Sequence, residues 1–229
     1  MSEKIREMFG SIAGRYDFMN DFLSLGIHKT WRTKTVKLSS VKKGDSILDC
    51  ASGTGDLAIE FHKTVTDSGK VTATDFCEEM LLIGIEKFKA QNLKIETSIE
   101  DVMNLTFDDN TFNISSIAFG IRNVDSPKKG LEEMARVVKP GGEVVVLEFG
   151  QPYGWFSLVY KIYSKILIPV FGKMLARSES AYNYLQDSAG KFPCREDFIK
   201  IMESTGKFET MKFYPVTFGI AYIYIGKVK

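Results

Sequence analysis

Apolar positions along this chain fall into two alternating rhythms. Short β-branched runs such as Ile47-Leu48 and Val144-Val145-Val146-Leu147 have the length of buried strands, and the longer stretches between them repeat apolar residues three and four apart, as amphipathic helices do. Residues 1–40 read as helical. After the turn Lys43-Gly44-Asp45 the pattern predicts a strand at 46–50, a Gly-rich turn, a helix at 56–65, a strand at 70–75 and a helix at 78–90. Strands at 93–99 and 112–118 follow, then a helix at 127–138, the turn Lys139-Pro140-Gly141-Gly142 and a strand at 143–149. Residues 151–190 break the rhythm, and a helix at 195–204 restores it. The β-rich runs 208–214 and 218–226 are separated only by Pro215-Val216-Thr217, too short for a helical crossover. Strand and helix alternating at this pace imply an α/β fold, a doubly wound, mostly parallel sheet that ends in an antiparallel hairpin. The expected organisation is one domain over 1–229, with a helical cap at 1–40 and a helical insertion or lid at 151–190.

Composition narrows the partners. Thirty Lys and Arg against 29 Asp and Glu leave a formal charge of +1, so there is no basic field for a nucleic-acid backbone. Cys50, Cys77 and Cys194 are far apart and lack ligand spacing, which points to reduced thiols and no metal site. Residues 1–14 lack the apolar core of a signal peptide, and a cytoplasmic protein is expected.

In a doubly wound sheet the first strand-to-helix loop carries the cofactor. Here it reads Asp49-Cys50-Ala51-Ser52-Gly53-Thr54-Gly55-Asp56, and Gly53 and Gly55 let a ligand lie against backbone N–H groups. Asp75 ends the second predicted strand, where a carboxylate can accept from a ribose diol. Both features suit NAD as well as S-adenosylmethionine. An acidic Asp49 would repel a pyrophosphate but can face the amino group of a methionine moiety, and no substrate domain for a dehydrogenase follows, so S-adenosylmethionine is favoured. An ordinary βα turn without a ligand is the remaining reading. Glu100-Asp101-Val102, after the third strand, can serve an adenine amino group and ring nitrogen, with Phe76 and Met80 flanking the ring; solvated acids and plain core residues are the alternatives.

Several segments, in order, resemble the menaquinone/ubiquinone biosynthesis C-methyltransferase family. They are Met8-Phe9 through Ile12-Ala13-Gly14-Arg15-Tyr16-Asp17 to Asn20, Leu23 to His28 with Trp31-Arg32, Gly53 to Leu57, Ala118 to Val124, Arg136 to Gly142, Leu147-Glu148-Phe149, Ser180 to Leu185 and Phe218-Gly219-Ile220. The resemblance implies a class I methyltransferase, Rossmann-like fold and methyl transfer from S-adenosylmethionine to a ring carbon of demethylmenaquinol, in some members also of a 2-methoxy-6-polyprenyl-1,4-benzoquinol. It assigns Thr54, Asp75 and the Asp101-Val102 pair to the cofactor. Ser52 stands where the family usually has Gly, Thr106 replaces a usual Pro, Asp101-Val102 a usual Asn-Ala or Asp-Ala, and Ala118 a Ser found in some members.

Such a reaction needs an electron-rich ring carbon, and a quinol becomes one when its phenol, with a pKa near the tyrosine value of roughly 10, loses its proton. Arg122, after the fourth strand, is the candidate cation beside that phenolate, against a plain ion pair with Asp125 or another acid. Asn123 is expected to orient the hydroxyl or to cap the following helix, and His28 to take the proton or to be a surface or helix-end histidine. Tyr16 and Asp17 could close over the cofactor or simply pin an N-terminal helix. The segment 155–171 is apolar on nearly all faces and reads as a packed lid helix, a groove for a prenyl tail or a peripheral contact with the inner face of the membrane. Homo-oligomerisation stays open. The competing readings are a methyltransferase of this fold acting on another small molecule or RNA, and a non-catalytic nucleotide-binding module.

Overall fold

The computed structural model describes residues 3–155, 157–158, 184 and 188–229. Two helices open the chain, α1 (Glu3–Ser24) and α2 (Ile27–Leu38). Strands and helices then alternate as β1 (Ser46–Cys50), α3 (Asp56–Val65), β2 (Lys70–Asp75), α4 (Glu78–Ala90), β3 (Ile95–Ile99), β4 (Phe112–Ala118), α5 (Pro127–Arg136) and β5 (Val138–Phe149). Helix α6 (Glu196–Ser204) precedes β6 (Phe208–Val216) and β7 (Ala221–Val228).

The seven strands form one sheet in the order β3-β2-β1-β4-β5-β7-β6. The first five are parallel, and β7 runs antiparallel between β5 and β6. A period of two sorts each central strand between two apolar layers. Val144 and Val146 face Leu131 and Met134 of α5 and Phe198 and Met202 of α6, whereas Val145 and Leu147 face the layer holding Trp31 of α2 and Leu57 and Phe61 of α3. Helices therefore cover both faces, as the doubly wound expectation requires.

Several boundaries move for local reasons. Strand β5 starts at Val138 and takes in Lys139 to Gly142, with Gly141 at φ 79° and a register shift opposite Phe112 and Ile114. Ser126, with Pro127 after it, caps α5 by accepting from the Lys129 N–H at 3.3 Å; the cap is not Asn123. Helix α6 begins at Glu196 because Arg195 has φ 57°. Phe218, expected in the last strand, lies in the single turn Thr217–Gly219 that joins β6 to β7, at φ 54°. Of the apolar stretch 155–171, only Trp155, Ser157 and Leu158 are among the described residues.

Candidate active site

The strand order reverses between β1 and β4, and the loops leaving their carboxyl ends diverge there to open a crevice. A cleft at this point is lined by Ala51 and Gly53 after β1, Asp75, Phe76 and Cys77 after β2, and Glu100, Asp101 and Val102 after β3. Ala118 to Gly120, Asn123 and Val124 supply the β4 side, and Met80 of α4 with Phe9 and Tyr16 of α1 complete the wall.

The β1 loop is built for close approach. Gly53 and Gly55 have φ of 58° and 82°, in the region that disfavours a side chain. A Cβ on Gly55 would lie 2.3 Å from the Phe88 ring, so the turn into α3 admits only glycine. The Gly53 N–H donates to Asp75 Oδ2 at 2.7 Å and the Cys77 N–H to Oδ1 at 2.8 Å. Each Asp75 oxygen keeps a lone pair for another donor, such as a ribose hydroxyl. Burial pushes the Asp75 carboxyl up to about 6, against the pull of these backbone donors.

Asp49 is 1% exposed. Its register partner on β4 is Ser116, whose hydroxyl donates to Oδ1 at 2.7 Å, and Ser52 donates to Oδ2 at 2.8 Å. Burial raises its carboxyl to about 6, partly offset by those two hydroxyls. Ser52, a departure from the usual Gly, thus orients this buried acid. Thr106 has a similar explanation: its N–H and hydroxyl both donate to Glu100, at 3.1 and 2.6 Å, and a proline could do neither. Glu100 is committed to this turn, while Asp101 Oδ1 accepts from the Met103 N–H at 2.9 Å.

The expected catalytic residues divide. Asn123 lines the cleft, its Nδ2 donating to Phe119 O at 3.3 Å and its Oδ1 accepting from Tyr184 Oη at 2.9 Å. Arg122 does not line it. Its guanidinium pairs with Glu148 rather than Asp125, donates to the Phe119 carbonyl and sits 5.1 Å above the Phe149 ring. His28 is a helix-end residue, buried and outside the cleft. It is 5% exposed near the start of α2, accepts at Nδ1 from Arg32 and offers Nε2 to Asp21 at 2.7 Å. Burial holds its pKa below the usual histidine value, against the pull of Asp21. Thr54 also lies outside the lining, its hydroxyl donating to Asp17 Oδ1 at 2.5 Å.

Glu148, Tyr184, Ser116 and Lys87 received no role from the sequence. Glu148 carried a signal, an acid between Leu147 and Phe149 in a strand otherwise apolar. Tyr184 lay inside a motif that named no function, and Ser116 and Lys87 gave no sign. Among the described residues no group of His, Cys, Asp and Glu could hold a metal ion. The residues present do fit S-adenosylmethionine: a glycine cradle, a buried carboxylate with lone pairs to spare after β2, and Phe76, Met80 and Val102 as apolar faces for a ring.

Comparison with known proteins agrees with this geometry. The model of the ubiE/COQ5 methyltransferase family matches residues 1–228. The chain is 51% identical over 228 residues to the ubiquinone/menaquinone biosynthesis C-methyltransferase UbiE of Bdellovibrio bacteriovorus, covering 99% of this chain and 97% of that one. It is 40% identical over 226 residues to the demethylmenaquinone methyltransferase of Bacillus cereus, covering 98% and 95%. In fold it is similar to an S-adenosylmethionine-dependent methyltransferase of Thermotoga maritima, with a TM-score of 0.68 at 18% identity over 97% of this chain and 99% of that one. Phosphoethanolamine N-methyltransferase 2 of Haemonchus contortus, solved with S-adenosyl-L-methionine, matches with a TM-score of 0.60 at 19% identity over 82% of this chain and 39% of that one. With the family model spanning nearly every residue and the cleft at the switch point, the chain belongs to the ubiE/COQ5 methyltransferase family and is an S-adenosylmethionine-dependent methyltransferase.

Proposed function

We propose that the chain methylates a ring carbon of a prenylated quinol, with demethylmenaquinol as its first acceptor and 2-methoxy-6-polyprenyl-1,4-benzoquinol as its second. C-methylation in quinone biosynthesis is the activity of its family. The choice of acceptors is supported by the near full-length identity to relatives named for those two pathways.

Bound S-adenosylmethionine supplies an electrophilic methyl group, and the protein must present a nucleophilic carbon in line with it. Asp75 would receive the ribose hydroxyls and the 101–102 turn the adenine, with Phe76 against its face, while Asp49, buried and outside the residues that line the cleft, would act on the amino group of the methionine moiety through its charge. Asn123 orients the ring hydroxyl: its amide is held by Phe119 O and Tyr184, which leaves one N–H to donate into the cleft. Arg122 stands behind Asn123, and its charge reaches the ring as one end of the Arg122–Glu148 dipole. With the phenol ionised, the methyl group that S-adenosylmethionine would supply bonds to the ring carbon as its bond to sulfur breaks; that carbon then loses its ring hydrogen as a proton and the aromatic quinol re-forms, so one proton is released per methyl transferred.

A polyprenyl acceptor resides in a bilayer, so the chain would meet the inner face of the membrane peripherally. Trp155 and Leu158, 73% and 65% exposed, support that contact. Among the described residues no helix is long and apolar enough to cross a membrane.

The deciding experiment is labelled methyl transfer to both quinols side by side, each also supplied as the oxidised quinone. Transfer to at least one quinol and to neither quinone is expected, because quinone carbonyls withdraw electrons and leave no phenol to ionise. No transfer to either quinol, or equal rates with quinone, would overturn the reading.

A further inference from the structure

Helix α1 forms one wall of the cofactor cleft through Phe9 and Tyr16. Ala13 packs with Cys77 and Met80, and Phe9, Tyr16 and Ile83 lean on that cluster. A polar junction adds to it. Asp17, one residue after Tyr16, accepts from Thr54 Oγ1 at 2.5 Å and from Lys87 Nζ at 2.9 Å. Lys87 Nζ also reaches Thr54 Oγ1 at 3.3 Å and the Asp56 carboxylate. An ammonium has three N–H donors, and here each meets an acceptor on a different element: α1, the cofactor loop and the first turn of α3.

The lysine stands where it can do this. Gly84 lies one turn before Lys87 on α4, and a Cβ there would come within 3.3 Å of the Thr54 backbone, so this face of the helix packs directly on the cofactor loop. The junction continues outward, since Arg32 lies 3.5 Å from Asp56 and is bonded to His28, which is bonded in turn to Asp21 near the end of α1. Asp17 and Asp21, both in the C-terminal part of α1 beyond its apolar patch, are thereby tied to one set of charges. Lys87 is about a quarter exposed, so its pairs are less screened than surface ones.

We propose that Lys87 is a positioning residue that fastens α1 to the cofactor loop, and that this fastening limits how fast the cofactor and its product leave the cleft. With Phe9 and Tyr16 forming that wall, exchange requires α1 to move outward, and the junction at Asp17 is the polar contact that must part.

Hydrogen exchange on the cofactor-free protein tests the fastening, and stopped-flow release of S-adenosylhomocysteine tests its consequence. Lys87→Met should raise exchange across residues 3–24 about tenfold and speed release by a similar factor, the scale of one partly buried charge contact. Asp17→Asn, which keeps the shape of the side chain and removes its charge, should do the same, and the double variant should add little to either because both remove one junction. Lys87→Arg, which keeps the charge, should restore most of the protection, and Lys200→Met, which removes a remote exposed lysine, should change neither readout. Wild-type exchange and release in Lys87→Met and Asp17→Asn, or fully additive effects in the double variant, would overturn the proposal.

Discussion

Arg122 Nη1 lies 2.8 Å from Glu148 Oε1, and the two side chains are 4% and 1% exposed. Glu148 Oε1 also accepts from the Phe149 N–H at 2.8 Å, so both charges are fixed in place rather than solvated. Burial alone pushes the Glu148 carboxyl upward, and Arg122 is the main influence holding it down.

Replacing Arg122 by Met therefore strands a buried carboxylate and should cost about 3–5 kcal/mol of stability, whatever it does to turnover. Combining Arg122→Met with Glu148→Gln should recover most of the melting temperature. If the pair shapes the field at the ring, kcat of the double variant stays low with cofactor affinity near normal. Recovery of kcat along with the melting temperature would show that Arg122 matters only for folding.

Asp75→Ala removes the acceptor placed for the ribose diol and frees the Gly53 N–H. Calorimetry should show cofactor binding weakened by about 1.5–3 kcal/mol, the range for hydrogen bonds to a charged group. Unchanged affinity would remove Asp75 from the cofactor site.

Asp49 gives a pH signature. Its unfolded carboxyl titrates near ~3.9, and the folded one is pushed up to about 6. Between those values the folded chain holds the extra proton, so stability declines as pH rises through the window and the full cost is present above it. Asp49→Asn lacks that titration. Its melting temperature relative to the parent should rise from about pH 4 to 7, by on the order of 2 kcal/mol in stability, while affinity for the cationic cofactor falls. A difference that does not vary with pH would mean the carboxyl is not perturbed.

Tyr184→Phe deletes the donor to Asn123 Oδ1 and nothing apolar. Loss of that bond should lower kcat/KM for the quinol by roughly fivefold, about 1 kcal/mol, with the cofactor dissociation constant unchanged. Equal activity of the variant would leave Asn123 oriented by Phe119 O alone.

The alternation from β1 to β5 was legible because each strand is a short β-branched run and each helix starts after a turn signal. The cofactor loop was legible for the same local reason, since glycines at 53 and 55 state a backbone requirement in two letters. Long-range pairing was not. Nothing near Arg122 in sequence announces Glu148, which comes alongside only because β4 and β5 are neighbours. Lys87 looks like any lysine on an amphipathic helix until α1 and the cofactor loop are folded against it. In sequence His28 reads either as a proton acceptor or as a surface or helix-end histidine; it stands at the start of α2, and its enclosure by Asp21 and Arg32 could not be read from the sequence because Asp21 lies on the preceding helix.

The placement of β7 governs the order in which the chain can be completed. Its hydrogen-bonding partners are β5 on one side and β6 on the other, so until residues 221–228 leave the ribosome, β5 keeps a raw edge and β6 has nowhere to dock. The parallel half can assemble during synthesis, but it does so with an apolar strand, Val144 to Leu147, one hydrogen-bonding row from solvent. A chain stalled or cut before residue 221 is consequently a sticky-edged intermediate, prone to strand exchange with another copy, and not a shorter enzyme.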